Sequence, residues 1–201
     1  MTIRNLKLIG LFAALLVLSS FALAADEYQI DPAHSSATFT VKHMVISNVP
    51  GRFGSVTGTI VYDENNLANS SVNAVIKTAT INTDNESRDK DLKSPNFFDV
   101  EKYPEITFKS KKIEKRGDQL VALGTLTMKD VSKDIELPFE LATLKSARGT
   151  RLGVTASTKV NRQDYHINYN RTLDNGGLVV ANDVKIEISV EAKPVKTTTA
   201  K

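Results

Sequence analysis

Three histidines are the residues of this chain best suited to acid–base or metal chemistry. His34, His43 and His166 lie far apart in the sequence, so a metal site would require them to converge in space. His43 alternates in step with Phe39 and Val41, which favours a packed core histidine over a ligand contact. The sequence contains no nucleophile elbow, no His-Glu-x-x-His zinc motif and no phosphate-binding loop. We therefore expect neither a catalytic residue nor a metal site.

Arginine and aspartate residues that lie close together in the sequence offer a second kind of chemistry. Two interpretations stay open: exposed ion pairs contribute little to stability, whereas an arginine at the mouth of a cavity can bind a phosphate or carboxylate headgroup with its planar fork. Under the second interpretation the predicted mouth residues are Arg88, Asp89, Arg162, Asp164, His166 and Tyr169.

The elements that position these side chains are predicted from an alternation of apolar and polar residues, which indicates half-buried β-strands. We expect an all-β domain of eight antiparallel strands, with a turn at Pro50 and Gly51 before the second. Eight strands close into a barrel that holds side chains or one small ligand, and a two-sheet sandwich is the alternative. The predicted strands are residues 36–43, 55–62, 71–78, a segment from Glu105, 120–128, 135–142, 151–161 and 183–191.

Residues 86–98 interrupt this alternation. Ser87 followed by charged residues predicts a short helix with Ser87 as its cap, and Pro95 ends that helix. Phe97 and Phe98 follow in a segment that cannot join a sheet. We expect these two rings to pack over the sheet or to plug one end of it.

The chain termini predict export. Residues 1–24 combine Arg4 and Lys7 with an apolar run and small residues at the cleavage positions, the pattern of a cleaved signal peptide. We expect residues 25–193 to form one barrel domain, and residues 194–201, which are basic and threonine-rich, to form a disordered tail. The chain contains no cysteine, so the domain must be held together by its core.

The charge of the domain argues against nucleic acid as a partner. The formal net charge of +3 includes Arg4 and Lys7 of the predicted signal peptide, so the mature chain is close to neutral. Its acidic and basic residues are interspersed, whereas a nucleic-acid-binding domain carries a basic patch or stripe.

Several motifs are distributed over the mature chain up to the predicted tail. They are Ile30-Asp31-Pro32-Ala33-His34-Ser35, Phe39-Thr40-Val41-Lys42-His43, Gly51-Arg52-Phe53, Arg88-Asp89 through Leu92 to Pro95-Asn96-Phe97-Phe98-Asp99, Tyr103-Pro104 with Phe108, Leu126-Thr127, and Asn161-Arg162-Gln163-Asp164. Together they resemble the YceI-like family of bacterial polyisoprenoid-binding proteins. The resemblance implies an eight-stranded, lipocalin-like antiparallel barrel with a helical segment. It also implies a long apolar cavity that holds an isoprenoid or a similar amphiphile.

We chose the residues expected to line this cavity by the strand face on which they lie and by their position along the strand. For the phenylalanines, a packed core is the simpler explanation. The expected lining residues are Phe39, Val41, His43, Phe53, Val56, Ile60, Ile76, Phe97, Phe98, Ile106, Phe108, Leu126, Phe139 and Val154.

The expected function is that of a periplasmic carrier for a polyisoprenoid, an isoprenoid quinone or a similar long-chain amphiphile, with no cofactor required. Burial of each methylene group contributes about 0.8 kcal/mol, so a few isoprene units supply most of the affinity. We expect a monomer or homodimer with transient membrane contact. Two alternatives stay open: an enzyme acting on a lipid or quinone at the barrel mouth through His43 or His166, and a structural or stress-related barrel filled by its own side chains.

Overall fold

The computed structural model describes residues 25–147, 149–169, 171 and 178–195. The predicted signal peptide and residues 196–201 of the predicted tail lie outside the described residues. The described part of the chain forms eleven strand segments and one α-helix. In chain order these are β1 (Asp26–Ile30), β2 (Ser36–His43), β3 (Ser47–Phe53), β4 (Val56–Tyr62), β5 (Ser71–Lys77), β6 (Ile81–Asn82), α1 (Glu86–Lys93), β7 (Glu105–Arg116), β8 (Gln119–Met128), β9 (Val131–Ser146), β10 (Gly149–Asn161) and β11 (Val180–Pro194).

Eight of these segments form a closed antiparallel ring. Its order is β1-β4-β5-β7-β8-β9-β10-β11, and pairing of β1 with β11 closes it. Closure satisfies the edges that an open sheet would leave unpaired. The predicted eight-stranded barrel is therefore confirmed over the sandwich.

The other three segments continue ring strands beyond a bend. β2 follows β1, β3 precedes β4, and β6 follows β5. β11 is long enough to pair with both halves of the first strand, with Ile30 opposite Ala192 and Ala37 opposite Ile188. Each strand predicted from the alternation thus corresponds to one strand of the barrel. β1, β3 and β6 were missed. β1 and β6, of five and two residues, are too short to show the pattern, and β3 contains the Pro50-Gly51 pair from which a turn was predicted.

The predicted turn at Pro50 and Gly51 is wrong. Both residues lie inside β3, opposite Thr40 and Phe39, and the chain turns earlier, at residues 44–46. β6 pairs only with the end of β3, so Pro50 stands on a free edge where its missing amide hydrogen is tolerated. A Cβ atom at Gly51 would lie 2.2 Å from the ring of Phe39, which requires glycine there.

The helix and the last strand differ from the predicted boundaries by a few residues. Asn85, not Ser87, caps α1: its side-chain oxygen accepts from the amide of Arg88 at 2.9 Å. β11 extends through Pro194, the first residue of the predicted tail, because it pairs there with Tyr28. No helix in the described part of the chain combines the length and apolar character needed to cross a membrane.

Candidate ligand-binding cavity

An apolar cavity runs through the interior of the barrel. Its volume is about 250 Å³. Among the described lining residues, only Thr38, Thr158, Arg162 and the phenol of Tyr62 bring polar side-chain atoms to the wall. An apolar cavity offers water few hydrogen-bond partners, so it suits an apolar ligand. This open interior contradicts the alternative of a barrel filled by its own side chains.

The inner faces of the strands carry most of the residues that the sequence selected for the cavity. Those on the wall are Phe39, Val41, Phe53, Val56, Ile60, Ile76, Phe97, Phe98, Ile106, Phe108, Leu126, Phe139 and Val154. Their contact with a ligand stays a prediction.

His43 is the exception. It lies half-buried at the last position of β2, opposite Val180 and Ser47, and does not line the cavity. Its alternation with Phe39 and Val41 is real, but β2 continues beyond the cavity wall at this point. The interpretation of His43 as a core residue is wrong for the same reason.

Other lining residues were missed although the alternation identifies them. Leu137 and Leu141 flank Phe139 on the same face of β9, and Ile186 and Ile188 alternate inward along β11. The period of two was a sufficient signal for all four. A list built from aromatic residues and a few β-branched positions left them out.

Aromatic side chains pack together at one end of the barrel. We call this the upper end; it carries α1 and the start of β11, and the lower end carries the turn between β7 and β8. Phe98 packs edge-on against Phe53 with 5.7 Å between ring centroids. Phe97 is buried and stacks on Tyr169 at 4.9 Å. Tyr169, a predicted mouth residue, therefore supports the wall from behind rather than lining it.

Arg162 is a buried cation in the wall at the upper end, with 4% of its surface exposed. The Asn161 side chain accepts from the amide of Gln163 at 3.0 Å and so starts the short 3-10 turn that holds Arg162. The guanidinium Nε donates to the Ala181 carbonyl at 2.9 Å, and Nη1 donates to the Ile167 carbonyl at 2.5 Å.

The second terminal nitrogen of Arg162 is also bonded to neutral acceptors. Nη2 donates to the Val180 carbonyl at 3.1 Å and to the side-chain oxygen of Asn182 at 3.2 Å. A guanidinium carries five N–H groups, so these four bonds leave one Nη1 hydrogen without a partner among the described residues.

The charge of Arg162 is not balanced by the aspartate with which the sequence paired it. Asp164 is exposed and forms an ion pair with Lys133 at 3.3 Å. No carboxylate within the described residues lies in ion-pair contact with Arg162. Burial lowers the pKa of the Arg162 guanidinium from its ordinary value, because a low-dielectric environment disfavours the charged form. Arginine nevertheless stays protonated, so the cavity contains a fixed positive charge.

Arg88 and Asp89, the other predicted pair, have a structural role and do not line the cavity. Asp89 accepts from the amide and the hydroxyl of Thr83 at 2.8 and 2.6 Å. Arg88 donates to the hydroxyl and carbonyl of the same Thr83 at 2.7 and 2.8 Å. These bonds fasten α1, which buries no side chain of its own, to the end of β6. The prediction of both residues as headgroup contacts receives no support from this geometry.

The histidines do not converge. His166 is exposed and adopts a left-handed conformation at the end of the 3-10 turn, where its carbonyl accepts from Lys129 at 3.2 Å. Neither His43 nor His166 is among the described residues that line the cavity. The described residues also contain no group of three or more histidine, cysteine, aspartate or glutamate side chains that could hold a metal ion.

Known proteins share both this sequence and this architecture. The UPF0312 protein SA2479 of Staphylococcus aureus strain N315 is 33% identical over 167 residues, covering 82% of this chain and 95% of that protein. The crystal structure of the Campylobacter jejuni YCEI protein is 33% identical with a TM-score of 0.65, covering 77% of this chain and 90% of that one.

A third, more distant structure shares the fold. It is a polyisoprenoid-binding domain from Saccharophagus degradans, 17% identical with a TM-score of 0.65, covering 84% of this chain and 98% of that one. A sequence model of the YceI-like domain matches residues 28–192. The chain belongs to the YceI-like family.

Proposed function

We propose that this protein is a periplasmic carrier that holds a long-chain amphiphile, such as a polyisoprenoid or an isoprenoid quinone, with its tail inside the barrel. One observation carries the proposal: the cavity is apolar along its length, and among its described lining residues one buried cation, Arg162, lies at its upper end. The Saccharophagus degradans domain of the same fold is described as polyisoprenoid-binding, which agrees with it.

The apolar wall supplies the affinity for the tail. Each buried methylene group contributes about 0.8 kcal/mol, and a prenyl chain buries several of them per isoprene unit. Part of this gain is offset by ordering of the flexible chain and by loss of its free motion. No reaction is needed for tail binding.

Arg162 gives the cavity a direction. A buried cation bonded only to neutral oxygens attracts an anionic or carbonyl oxygen strongly, because the surrounding dielectric is low. The remaining Nη1 hydrogen can donate to such an oxygen. The ligand is therefore placed with its polar head at the upper end and its tail toward the lower end.

The location and partners follow from the sequence and this ligand. The signal-peptide pattern of residues 1–24 directs the chain out of the cytoplasm and into the periplasm. In the aqueous space between the two membranes a lipid tail needs shielding from water. The carrier works as a monomer or homodimer, needs no cofactor and contacts the membrane transiently. Its near-neutral charge leaves no role for nucleic acid.

The test is mass spectrometry of organic extracts of the natively purified protein, together with uptake of prenyl lipid from detergent micelles. Val154→Phe places a ring in the cavity and is expected to reduce uptake. Thr155→Phe, on the exposed face of the same strand, is the matched control and is expected to load normally. An empty extract with no uptake by the unaltered protein contradicts the carrier function. Turnover of the lipid, abolished in His166→Ala, would instead support the enzyme alternative.

A further inference from the structure

We propose that the turn between β2 and β3 docks the upper end of the barrel onto an anionic lipid membrane. We call Met44, Val45 and Ile46 the hairpin tip. This inference rests on the proposed carrier function and names the surface through which the carrier would meet its donor or acceptor membrane.

The hairpin tip exposes three consecutive large apolar side chains. Met44 is 42% exposed, Val45 61% and Ile46 82%. Elsewhere in the described residues, the exposed large apolar residues are Leu144 and Val195, which stand singly near the lower end. Single exposed apolar residues are ordinary, whereas a contiguous group that projects from the fold marks a contact surface.

The backbone of the hairpin tip is unfavourable for these residue types. The amide of Ile46 donates to the carbonyl of His43 at 3.1 Å, and the two central residues of this turn have φ values of +50° and +66°. Turns with positive φ at both central residues favour asparagine, aspartate and glycine. A β-branched residue such as Val45 is a genuine outlier in this region.

A second turn with positive φ at both central residues contains the polar residue types that are usual there. Lys129 and Asp130 connect β8 to β9 with φ values of +49° and +60°, and both are polar. Aspartate tolerates the left-handed region because its short side chain can hydrogen-bond locally. The apolar sequence of the hairpin tip thus opposes local stability and solubility together, and such a conflict between sequence and structure is typical of a functional surface.

The hairpin tip lies at the end of the cavity that holds the buried cation. The amide of Met44 donates to the carbonyl of Val179 at 2.8 Å, and the adjacent His43 pairs with Val180. The Val180 carbonyl in turn accepts from Arg162. Insertion of the tip into a membrane would therefore place the mouth and the headgroup position at the lipid surface.

The charged residues that directly flank the hairpin tip are basic, which suits an anionic lipid surface. No carboxylate residue occurs between His34 and Tyr62 in the sequence. Lys42 is exposed immediately before the turn, and Arg171 is exposed beside Val179, whose amide donates to its carbonyl at 2.8 Å. Basic residues that flank an apolar insertion strengthen binding to anionic membranes.

A membrane fits this surface better than a second copy of the chain. A stable protein interface buries roughly 1,200–2,000 Å² in total, far more than three side chains provide. Shallow insertion into the interfacial region of a bilayer requires only a small apolar group with flanking cations. We therefore commit to the lipid surface and use the oligomeric state as an opposing outcome.

The experiment is flotation of the purified protein with vesicles of phosphatidylcholine alone or mixed with phosphatidylglycerol. Ile46→Ser is expected to weaken binding to the mixed vesicles roughly tenfold, the loss expected for one inserted apolar side chain. Leu144→Ser, the matched control near the lower end, is expected to bind as the unaltered protein does. Lys42→Gln is expected to reduce binding to the mixed vesicles only, and added salt should reproduce this effect.

Uptake of prenyl lipid from detergent micelles separates this inference from the carrier function. Ile46→Ser should load normally from micelles and slowly from vesicles if both proposals hold. Absence of micelle uptake in the unaltered protein overturns the carrier function, and vesicle binding still tests the docking surface. Equal vesicle binding by Ile46→Ser and the unaltered protein overturns docking. So does a change of oligomeric state on gel filtration of Ile46→Ser, because the tip would then contact a second copy.

Discussion

The two ends of the barrel are built from different kinds of residues. At the lower end, Arg116 and Gln119 pair across a two-residue turn in which Gly117 takes a positive φ of +61°. Glycine adopts that conformation without steric cost. Arg116 also donates to the carboxylates of Glu114 and Glu136, so its charge is balanced. Each requirement of this end is met by a residue suited to it.

The upper end contains energetically unfavourable features that the turn between β7 and β8 lacks. Met44 and Val45 take positive φ values without glycine, and their side chains are exposed. Arg162 is buried without a carboxylate among the described residues. Unfavourable conformations and unbalanced charges persist mainly where function requires them. The contrast between the ends agrees with our proposals that ligand and membrane meet the protein at the upper end.

The largest expected effect comes from removing the buried cation. Arg162→Met leaves the carbonyls of Ile167, Val180 and Ala181 without a donor, and buried unpaired acceptors of this kind should destabilise the fold by about 2–4 kcal/mol. Arg116→Met at the lower end removes exposed ion pairs and should have a much smaller effect. The chain contains no tryptophan, so urea denaturation followed by circular dichroism is the appropriate measurement. Equal losses in the two variants would show that the ends do not differ in this respect.

The environment of Arg162 could not have been predicted from the sequence. Two of its acceptors are carbonyls of residues 180 and 181, which follow eighteen or more positions later and come near only when β11 pairs with β10. Asp164, two positions away, was the obvious partner, but the 3-10 turn directs it outward to Lys133. Sequence proximity therefore suggests an ion pair between Arg162 and Asp164 that the fold does not form.

The wall of the barrel was predictable because strands impose a local rule. Alternation with a period of two located every strand of the closed ring except β1, and it placed most of the chosen residues, such as Phe39 and Val154, on the inner face. The rule fails where the backbone leaves the barrel, as at His43, and where a glycine serves packing rather than turning, as at Gly51. It also does not reveal the hairpin tip, whose apolar residues read as a continuation of the strand.

Substitutions in the turns test the other difference between the ends, the use of glycine or of non-glycine residues at positive φ. Val45→Gly relieves the unfavourable left-handed conformation, offset in part by the flexibility of glycine, and should stabilise the fold by about 0.5–1 kcal/mol. Gly117→Val introduces the same conflict at the lower end and should destabilise it by a similar or larger amount, about 1 kcal/mol. Urea denaturation of both variants measures the changes. A loss of stability in Val45→Gly would mean that the tip residues stabilise their own turn.

The smallest expected effect is on the pH dependence of the melting temperature. It distinguishes the lower end, where Glu114 is paired with basic residues, from the upper end, where Arg162 has no carboxylate partner among the described residues. Hydrogen bonds from Lys112 and then Arg116 hold the pKa of Glu114 below its ordinary value. A depressed carboxyl pKa contributes stability above the unfolded-state value, and that contribution is lost as the pH falls through the folded-state pKa. Lys112→Gln should therefore flatten the decline of the melting temperature between neutral pH and about pH 3.

Arg162→Lys should lower the melting temperature without changing that slope, since no carboxylate in the described residues pairs with Arg162. A flattened slope in Arg162→Lys would reveal a carboxylate that balances the cavity charge, and the ends would then differ in backbone geometry alone.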